Sequence, residues 1–286
     1  MIIDGKLLAQ SLLTGLSKDV TALRAKGHTP TLAVILIGDD PASLAYIRQK
    51  QKAAEQIGAR VVFSHQPPTI GANGLKTLVE TYNADPTIDG LIVQRPVPET
   101  LGDVSSILTS IIKSKDVDGF LPDSPFDVPV ALAVGEILQQ AHTLTEQAEQ
   151  TYSAWLRKQR IAVIGRGETA GGPILRYLQK LDCATSVIHR TTPDPETIMK
   201  QSDVIISCVG AAGIVPASAV KPGAVLISVG LWRDAEGKLR GDYDEREIAQ
   251  IARCYTPTPG GVGPVNVACL MQNLIKACMM KKGGSI

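Results

Sequence analysis

The sequence predicts an α/β protein of two α/β domains with a cleft between them, the second a Rossmann-type dinucleotide-binding domain. Three observations carry this. The chain has 286 residues, and at about 150 residues per domain that is two. Strand-length apolar runs alternate with helical apolar periods in both halves, the pattern of right-handed βαβ units on open parallel sheets. Finally, the run Ile161–Ile164 leads into Gly165-Arg166-Gly167-Glu168-Thr169-Ala170-Gly171-Gly172-Pro173 and then a helical pattern. That is the setting a dinucleotide-binding turn requires.

The elements follow in order. Leu7, Leu8, Ser11, Leu12, Gly15, Leu16, Val20 and Leu23 recur at helical spacing, and Gly27 closes that helix. Thr31–Ile37 is continuously apolar, as a strand covered on both faces of a parallel sheet must be. Asp40 and Pro41 supply an N-cap and a first-position proline for a helix reaching Ile57. Ala59–Ser64 reads as a strand, Leu75–Tyr82 as a helix, Gly90–Gln94 as a strand and Val104–Ile112 as a helix. Leu121–Pro129 is rich in turn residues. A helical pattern from Val130 to Gln140, extended by polar helix formers to Gln159, then bridges to the second series. Its strands are Ile161–Ile164, Thr185–Ile188, Val204–Val209 and Val225–Val229, and an apolar helix from Pro264 to Met280 follows. The expected domains are 1–140 completed by 264–286, with the dinucleotide domain 141–263 inserted between them.

Composition excludes several function classes. Apolar residues make up 44% and charged residues 20%, as in a soluble globular protein. Twenty-nine basic against 28 acidic residues leave a formal charge of +1, without the basic field of a nucleic-acid or polybasic membrane binder. Apolar runs such as Leu32–Ile37 fall far short of the ~20 residues of a membrane span. Met1-Ile2-Ile3-Asp4-Gly5-Lys6 carries no signal-peptide pattern, so a cytoplasmic protein is expected. Cys183, Cys208, Cys254, Cys269 and Cys278 are odd in number and never two residues apart, so buried reduced thiols are expected and no metal site.

At the Gly165 turn, Gly165, Gly167 and Ala170 satisfy the glycine pattern that lets backbone N–H groups approach a pyrophosphate at a helix N-terminus. About 20 residues on, where an NAD site carries a carboxylate for the ribose, the strand ends in His189-Arg190-Thr191-Thr192. Arg190, with Arg166, can pair with a 2′-phosphate, which favours NADP over NAD. Both arginines can equally be solvated surface residues.

In the first half, Tyr46 and Lys50 share one helix face. Gln94 ends a strand at the edge where open sheets bind ligands, and Asp118 lies in a loop after the following helix. On one sheet, these would bring an amine, a carboxamide, a carboxylate and an aromatic face together. Taken singly each has an ordinary reading: Lys50 belongs to a basic run with Arg48 and Lys52, Gln94 is a strand-end polar residue, and Asp118 shapes a turn.

Taken together, the segments resemble the bifunctional methylenetetrahydrofolate dehydrogenase/cyclohydrolase family over nearly the whole chain. The matching text is Ile3–Lys6, Asp40–Ser43 with Tyr46 and Lys50, Asp89-Gly90 through Val93-Gln94 to Pro96 and Pro98, and Lys115–Phe120. The Gly165–Pro173 turn and Thr256-Pro257-Thr258-Pro259-Gly260-Gly261-Val262-Gly263-Pro264 complete it. The resemblance implies oxidation of 5,10-methylenetetrahydrofolate to the methenyl form with NADP⁺, then hydrolysis to 10-formyltetrahydrofolate, within the one-carbon metabolism that serves purine biosynthesis. It assigns Lys50, Gln94 and Asp118 to catalysis. Tyr46, Gly260, Gly261 and Pro264 would bind the folate, and Gly165, Arg166, Gly167, Arg190 and Leu231 the NADP. It also implies a homodimer joined through the second domain.

The chain departs from the family pattern in places. The usual Pro-Cys-Thr-Pro segment is absent, the nearest text being Pro129-Val130-Ala131-Leu132, and the polar stretch Gln139–Gln159 is correspondingly long. Arg95 stands where an apolar residue is usual, Gly167 replaces a Ser, Ser228 an Asp and Asn266 a Thr. Lys50, Gln94 and Asp118 remain, so both activities are expected. The competing readings are a dehydrogenase alone, with NAD or NADP, and a catalytically lapsed folate- or dinucleotide-binding paralogue.

Overall fold

Buried, mostly apolar runs of four to seven residues form the strands Thr31–Ile37, Gly90–Val93, Val204–Ser207 and Val225–Ser228, and helices lie between the strands along the chain. A computed structural model describes residues 1–144 and 150–281. Positions 145–149 of the expected Gln139–Gln159 stretch, and the expected terminal range past 281, lie outside the described residues. The chain makes two compact units: Gln10–Pro129 with the chain from Val267 on, and Met1–Ala9 with Val130–Asn266.

Helix α1 (Gly5–Ala25) is followed by β1 (Thr31–Ile37), α2 (Pro41–Ile57), β2 (Arg60–Gln66), α3 (Gly71–Ala84), β3 (Gly90–Val93) and the short α4 (Ser105–Leu108). The sheet is parallel in the order β2-β1-β3, with Thr31 beside Arg60 and Leu32 beside Gly90. Every residue of the central β1 is buried. Ala33, Ile35, Leu91 and Val93 pack with Leu75 and Val79 of α3 and with Ile107 and Ile111 to form one core. Helix α2 begins at Pro41 because the Asp40 carboxylate accepts from Ser43 N at 2.7 Å. It ends where Gly58 turns left-handed.

The other unit contains α5 (Pro129–Leu144), α6 (Tyr152–Lys158), β4 (Arg160–Ile164), α7 (Gly171–Lys180), β5 (Ala184–Ile188), α8 (Pro195–Gln201), β6 (Val204–Ser207) and β7 (Val225–Ser228). A two-stranded hairpin, β8 (Trp232–Arg233) with β9 (Leu239–Arg240), precedes α9 (Glu245–Ile248) and β10 (Cys254–Tyr255). Helix α10 (Val262–Lys281) runs from this unit back into the first. Its five-stranded sheet is parallel, β10-β7-β6-β4-β5, so the chain order reverses at β4 and leaves a switch point between β4 and β6.

Several expectations change. Residues 1–9 join the dinucleotide-type unit, because Ile3 N donates to Tyr255 O at 2.8 Å and Tyr255 N to Met1 O at 3.0 Å, extending the sheet beyond β10. Residues 130–140 join it too, with Tyr152 Oη donating to Gly135 O at 3.2 Å. The helix expected over Val104–Ile112 is only α4. Asn83 captures the chain after it, donating to Ser110 O at 2.8 Å and accepting from Ile112 N at 3.1 Å. The helix expected from Val130 to Gln159 is two helices, and Thr151 caps the second. Among the described residues no two cysteines are joined in a disulfide. Among the described residues no helix is long and apolar enough to cross a membrane.

Candidate active site

Lys50 is reached from the sequence of α2, where Ile47, Lys50, Ala54 and Ile57 form the buried stripe. Its side chain is 6% exposed, and Nζ donates to Gln94 Oε1 at 3.0 Å. Gln94 is set by both its ends. Its N–H donates to Ile35 O at 2.8 Å, prolonging the β3–β1 ladder, and its Nε2 donates to Arg95 O at 2.8 Å. That second bond turns the acceptor oxygen toward Lys50. Burial pushes the Lys50 amine below the ordinary lysine value, and the charge of Asp118 acts against that shift. Tyr46, one turn before Lys50, is half-buried.

The Asp118 loop is held from three directions within the same unit. Lys115, 5% exposed, donates to Tyr82 O at 2.7 Å, Asn83 O at 2.8 Å and Asp85 O at 2.7 Å, capping the C-terminus of α3. Asp116, whose carboxyl burial pushes its pKa up, accepts from Leu121 N at 3.0 Å. Asn273 of α10 donates to Val117 O and to Asp127 O, each at 2.9 Å. The sequence marks Lys115 only as part of the matching Lys115–Phe120 text and does not mark Asn273, because the partners of each are distant in the chain. A cavity of about 60 Å³ lies between β3 and this loop, lined by Arg95, Asp116, Asp118 and Phe120. The unusual Arg95 stacks its guanidinium on the Phe120 ring, 5.0 Å from the centroid.

In the other unit the Gly165 turn occupies the carboxyl end of β4, at the switch point. Gly165 has φ +92°, and a Cβ on Gly171 would stand 2.1 Å from Gly165 O, so the turn closes onto the start of α7. Such backbone closeness is a cradle that side chains would fill, and it suits a pyrophosphate. Arg166 and Arg190 are exposed, each two residues beyond the ends of the paired strands β4 and β5. Gly167 faces open space, so its missing hydroxyl leaves the backbone course unchanged. Ser228, in place of the usual Asp, accepts from Asp242 N at 2.9 Å. Leu231 is 43% exposed just past β7.

Gly260, Gly261 and Pro264 lie in this unit, with the Gly165 turn, and not in the unit of Lys50. A Cβ on Gly5 would fall 1.8 Å from Gly261 O. The loop is anchored by Glu245, which accepts from Thr258 N at 2.6 Å. The structure therefore groups Tyr46, Lys50, Gln94 and Asp118 in one unit and all the remaining candidates in the other. Among the described residues, no cluster of His, Cys, Asp and Glu could hold a metal.

A buried amine held by a carboxamide, on a chain with a glycine turn at a sheet switch point, defines an α/β enzyme that uses a dinucleotide. Comparison with known proteins specifies the class. Residues 3–118 match the family model described as tetrahydrofolate dehydrogenase/cyclohydrolase, catalytic domain, and residues 141–282 match the NAD(P)-binding domain of the same family. Bifunctional protein FolD of Levilactobacillus brevis is 38% identical over 285 residues, covering 97% of this chain and 96% of that protein. The crystal structure of the bifunctional FolD methylenetetrahydrofolate dehydrogenase/cyclohydrolase from Campylobacter jejuni aligns with TM-score 0.90 at 33% identity, covering 98% of this chain and 99% of that one. The Trypanosoma brucei dehydrogenase-cyclohydrolase, solved with NADP cofactor and inhibitor, aligns with TM-score 0.88 at 30% identity over 98% and 97% of the two chains. This chain belongs to the tetrahydrofolate dehydrogenase/cyclohydrolase family.

Proposed function

We propose that this chain oxidises 5,10-methylenetetrahydrofolate to 5,10-methenyltetrahydrofolate with NADP⁺ and then hydrolyses the product to 10-formyltetrahydrofolate. The observation that carries the reading is the buried Lys50 amine bonded to Gln94. When bound, NADP⁺ supplies the hydride acceptor. The Gly165 turn offers N–H groups to its pyrophosphate, and Arg166 and Arg190 pair with the 2′-phosphate.

The chain's own groups carry the hydrolysis. Burial lowers the pKa of the Lys50 amine, which favours taking a proton at Nζ from water adding to the methenyl carbon and returning it as the ring C–N bond opens. Gln94 orients that amine through its oxygen. Asp118 accepts from the N–H groups of the pterin and fixes its orientation, and Tyr46 lies against the folate ring. Gly260, Gly261 and Pro264 form a main-chain surface for the folate. The role extends to a cytoplasmic homodimer in one-carbon metabolism; the resemblance supports this, and sedimentation with cell fractionation tests it.

The experiment is an assay of the purified protein with methylenetetrahydrofolate and either NADP⁺ or NAD⁺, following reduced cofactor and methenyl absorbance. Hydride transfer with NADP⁺ preferred, and methenyl absorbance that decays faster than in buffer, are expected. No hydride transfer with either cofactor overturns the reading. Methenyl product that decays only at the buffer rate leaves a dehydrogenase alone.

A further inference from the structure

Past the end of β6 the backbone turns through Cys208, Val209, Gly210 and Ala211, and three successive N–H groups converge on one side chain. Val209 N lies 3.0 Å from Oδ2 of Asp242, and Gly210 N and Ala211 N lie 2.8 and 3.0 Å from Oδ1. Ser207 Oγ donates to Oδ2 at 2.6 Å. Asp242 is fully buried. Its own N–H donates to Ser228 Oγ, and its carbonyl accepts from Val215 N at 3.1 Å. The turn is thus an anion nest filled by a carboxylate of the chain itself.

What flanks this nest gives it meaning. On one side, a Cβ on Gly165 would stand 3.2 Å from Cys208 O and 3.6 Å from Val209 Cγ2, so the dinucleotide turn rests on the nested segment. On the other, a Cβ on Gly210 would stand 2.9 Å from Leu231 O. Gly230 is also bound to this arrangement, since a Cβ there would lie 2.3 Å from Gly210 N and 2.4 Å from Asp242 Oδ2. One buried carboxylate therefore sets the backbone at the ends of β6 and β7, between the Gly165 turn and Leu231.

We propose that Asp242 is a positioning residue for the dinucleotide. By fixing residues 209–211 and Gly230-Leu231, it shapes the surface that receives the part of NADP lying beyond the Gly165 turn. It acts through backbone and touches no reacting atom. A preformed surface lowers the ordering cost of binding, so its loss appears in dinucleotide affinity. The proposal rests on the NADP reading above. Lys50 and Gln94 belong to the other unit, so hydrolysis of methenyltetrahydrofolate supplied directly, without NADP, reports on folding and on the Lys50 site independently of dinucleotide binding.

The test is Asp242→Asn, which keeps the shape but sets an NH₂ group against backbone donors. A charge-assisted network lost in a buried site predicts a KM for NADP⁺ raised about tenfold or more, with hydrolysis of added methenyl substrate within about twofold of wild type. Unchanged KM for NADP⁺ overturns the proposal, as does an equal loss of both activities. Should Asp242→Asn not fold, Ser207→Ala decides: removing one donor predicts a KM raised about threefold with hydrolysis intact, and an unchanged KM overturns the idea. Wild-type protein that binds neither NADP⁺ nor NAD⁺ by calorimetry overturns the dinucleotide reading and this proposal together. Wild-type binding with an unaffected variant overturns only this one.

Discussion

Lys50 and Gln94 stand 44 residues apart in the chain, yet Nζ and Oε1 meet at 3.0 Å with the amine buried. The carboxamide is spent on both sides, accepting from Lys50 and donating to Arg95 O, so it holds the amine in one place. Lys50→Met keeps the length of the stem and removes the proton carrier. Hydrolysis of methenyltetrahydrofolate should fall by at least about a hundredfold, the range of general acid–base catalysis. Folate binding, measured by fluorescence quenching, should stay close to wild type.

The same burial makes a pH prediction. Lys50 has a lowered pKa when folded, so between that lowered value and the ordinary lysine value the unfolded chain binds more protons. Stability from this group must then rise with pH across that window, and the burial penalty is felt in full below it. Lys50→Met should be the more stable protein at low pH, with its advantage shrinking as pH rises, measured by urea unfolding over a pH series. The hydrolysis rate should climb with pH at a value below that of an exposed lysine.

Lys115 predicts a different result. It serves the loop that carries Asp118, and its ammonium satisfies three carbonyls at the end of α3. Lys115→Met leaves those carbonyls without their donor and should lower stability by about 2–4 kcal/mol. A loosened Asp118 loop should raise KM for the folate more than it lowers kcat for hydrolysis. Thermal melts and steady-state kinetics on one preparation separate the two effects.

The sequence exposes some of this and hides the rest, for identifiable reasons. Strand β1 is legible because both its faces are buried, which demands an unbroken apolar run, and α2 because Asp40 and Pro41 write its start locally. The burial of Lys50 was also available: it falls on the Ile47–Ala54–Ile57 stripe, whereas its basic neighbours Arg48 and Lys52 point to solvent. Its pairing with Gln94 was legible only through the family motif. Asn273 meets Val117 across 156 residues, and Asp242 meets Val209 across 33; neither leaves a periodic or local mark. The compact units divide the chain at places the sequence does not mark, because α1, α5 and α10 each run across a boundary or begin at one, so no change of composition announces it.

Arg95 tests whether a departure from the family pattern matters. Its guanidinium lies over Phe120, two residues from Asp118, and the contact joins the end of β3 to the Asp118 loop. At a solvent-facing site such a contact is worth about 0.5–1 kcal/mol. A double-mutant cycle with Arg95→Leu and Phe120→Leu should recover a coupling of that size in unfolding free energy. Zero coupling would mean the two side chains merely lie close together.

Arg166 and Arg190 stand beyond the ends of two hydrogen-bonded strands, and both are exposed. A guanidinium at either position is available to an anion, and of the two cofactors only NADP carries a 2′-phosphate. Arg190→Ala should therefore raise KM for NADP⁺ about tenfold, the loss of a charge-assisted bond, and leave KM for NAD⁺ within about twofold. Added salt should weaken NADP⁺ binding by wild type more than by the variant, since exposed charges are screened. A variant that loses both cofactors equally would mean that Arg190 supports the turn rather than reads the phosphate. In that case NADP preference would have to come from Arg166 alone, and Arg166→Ala with the same two cofactors would show it.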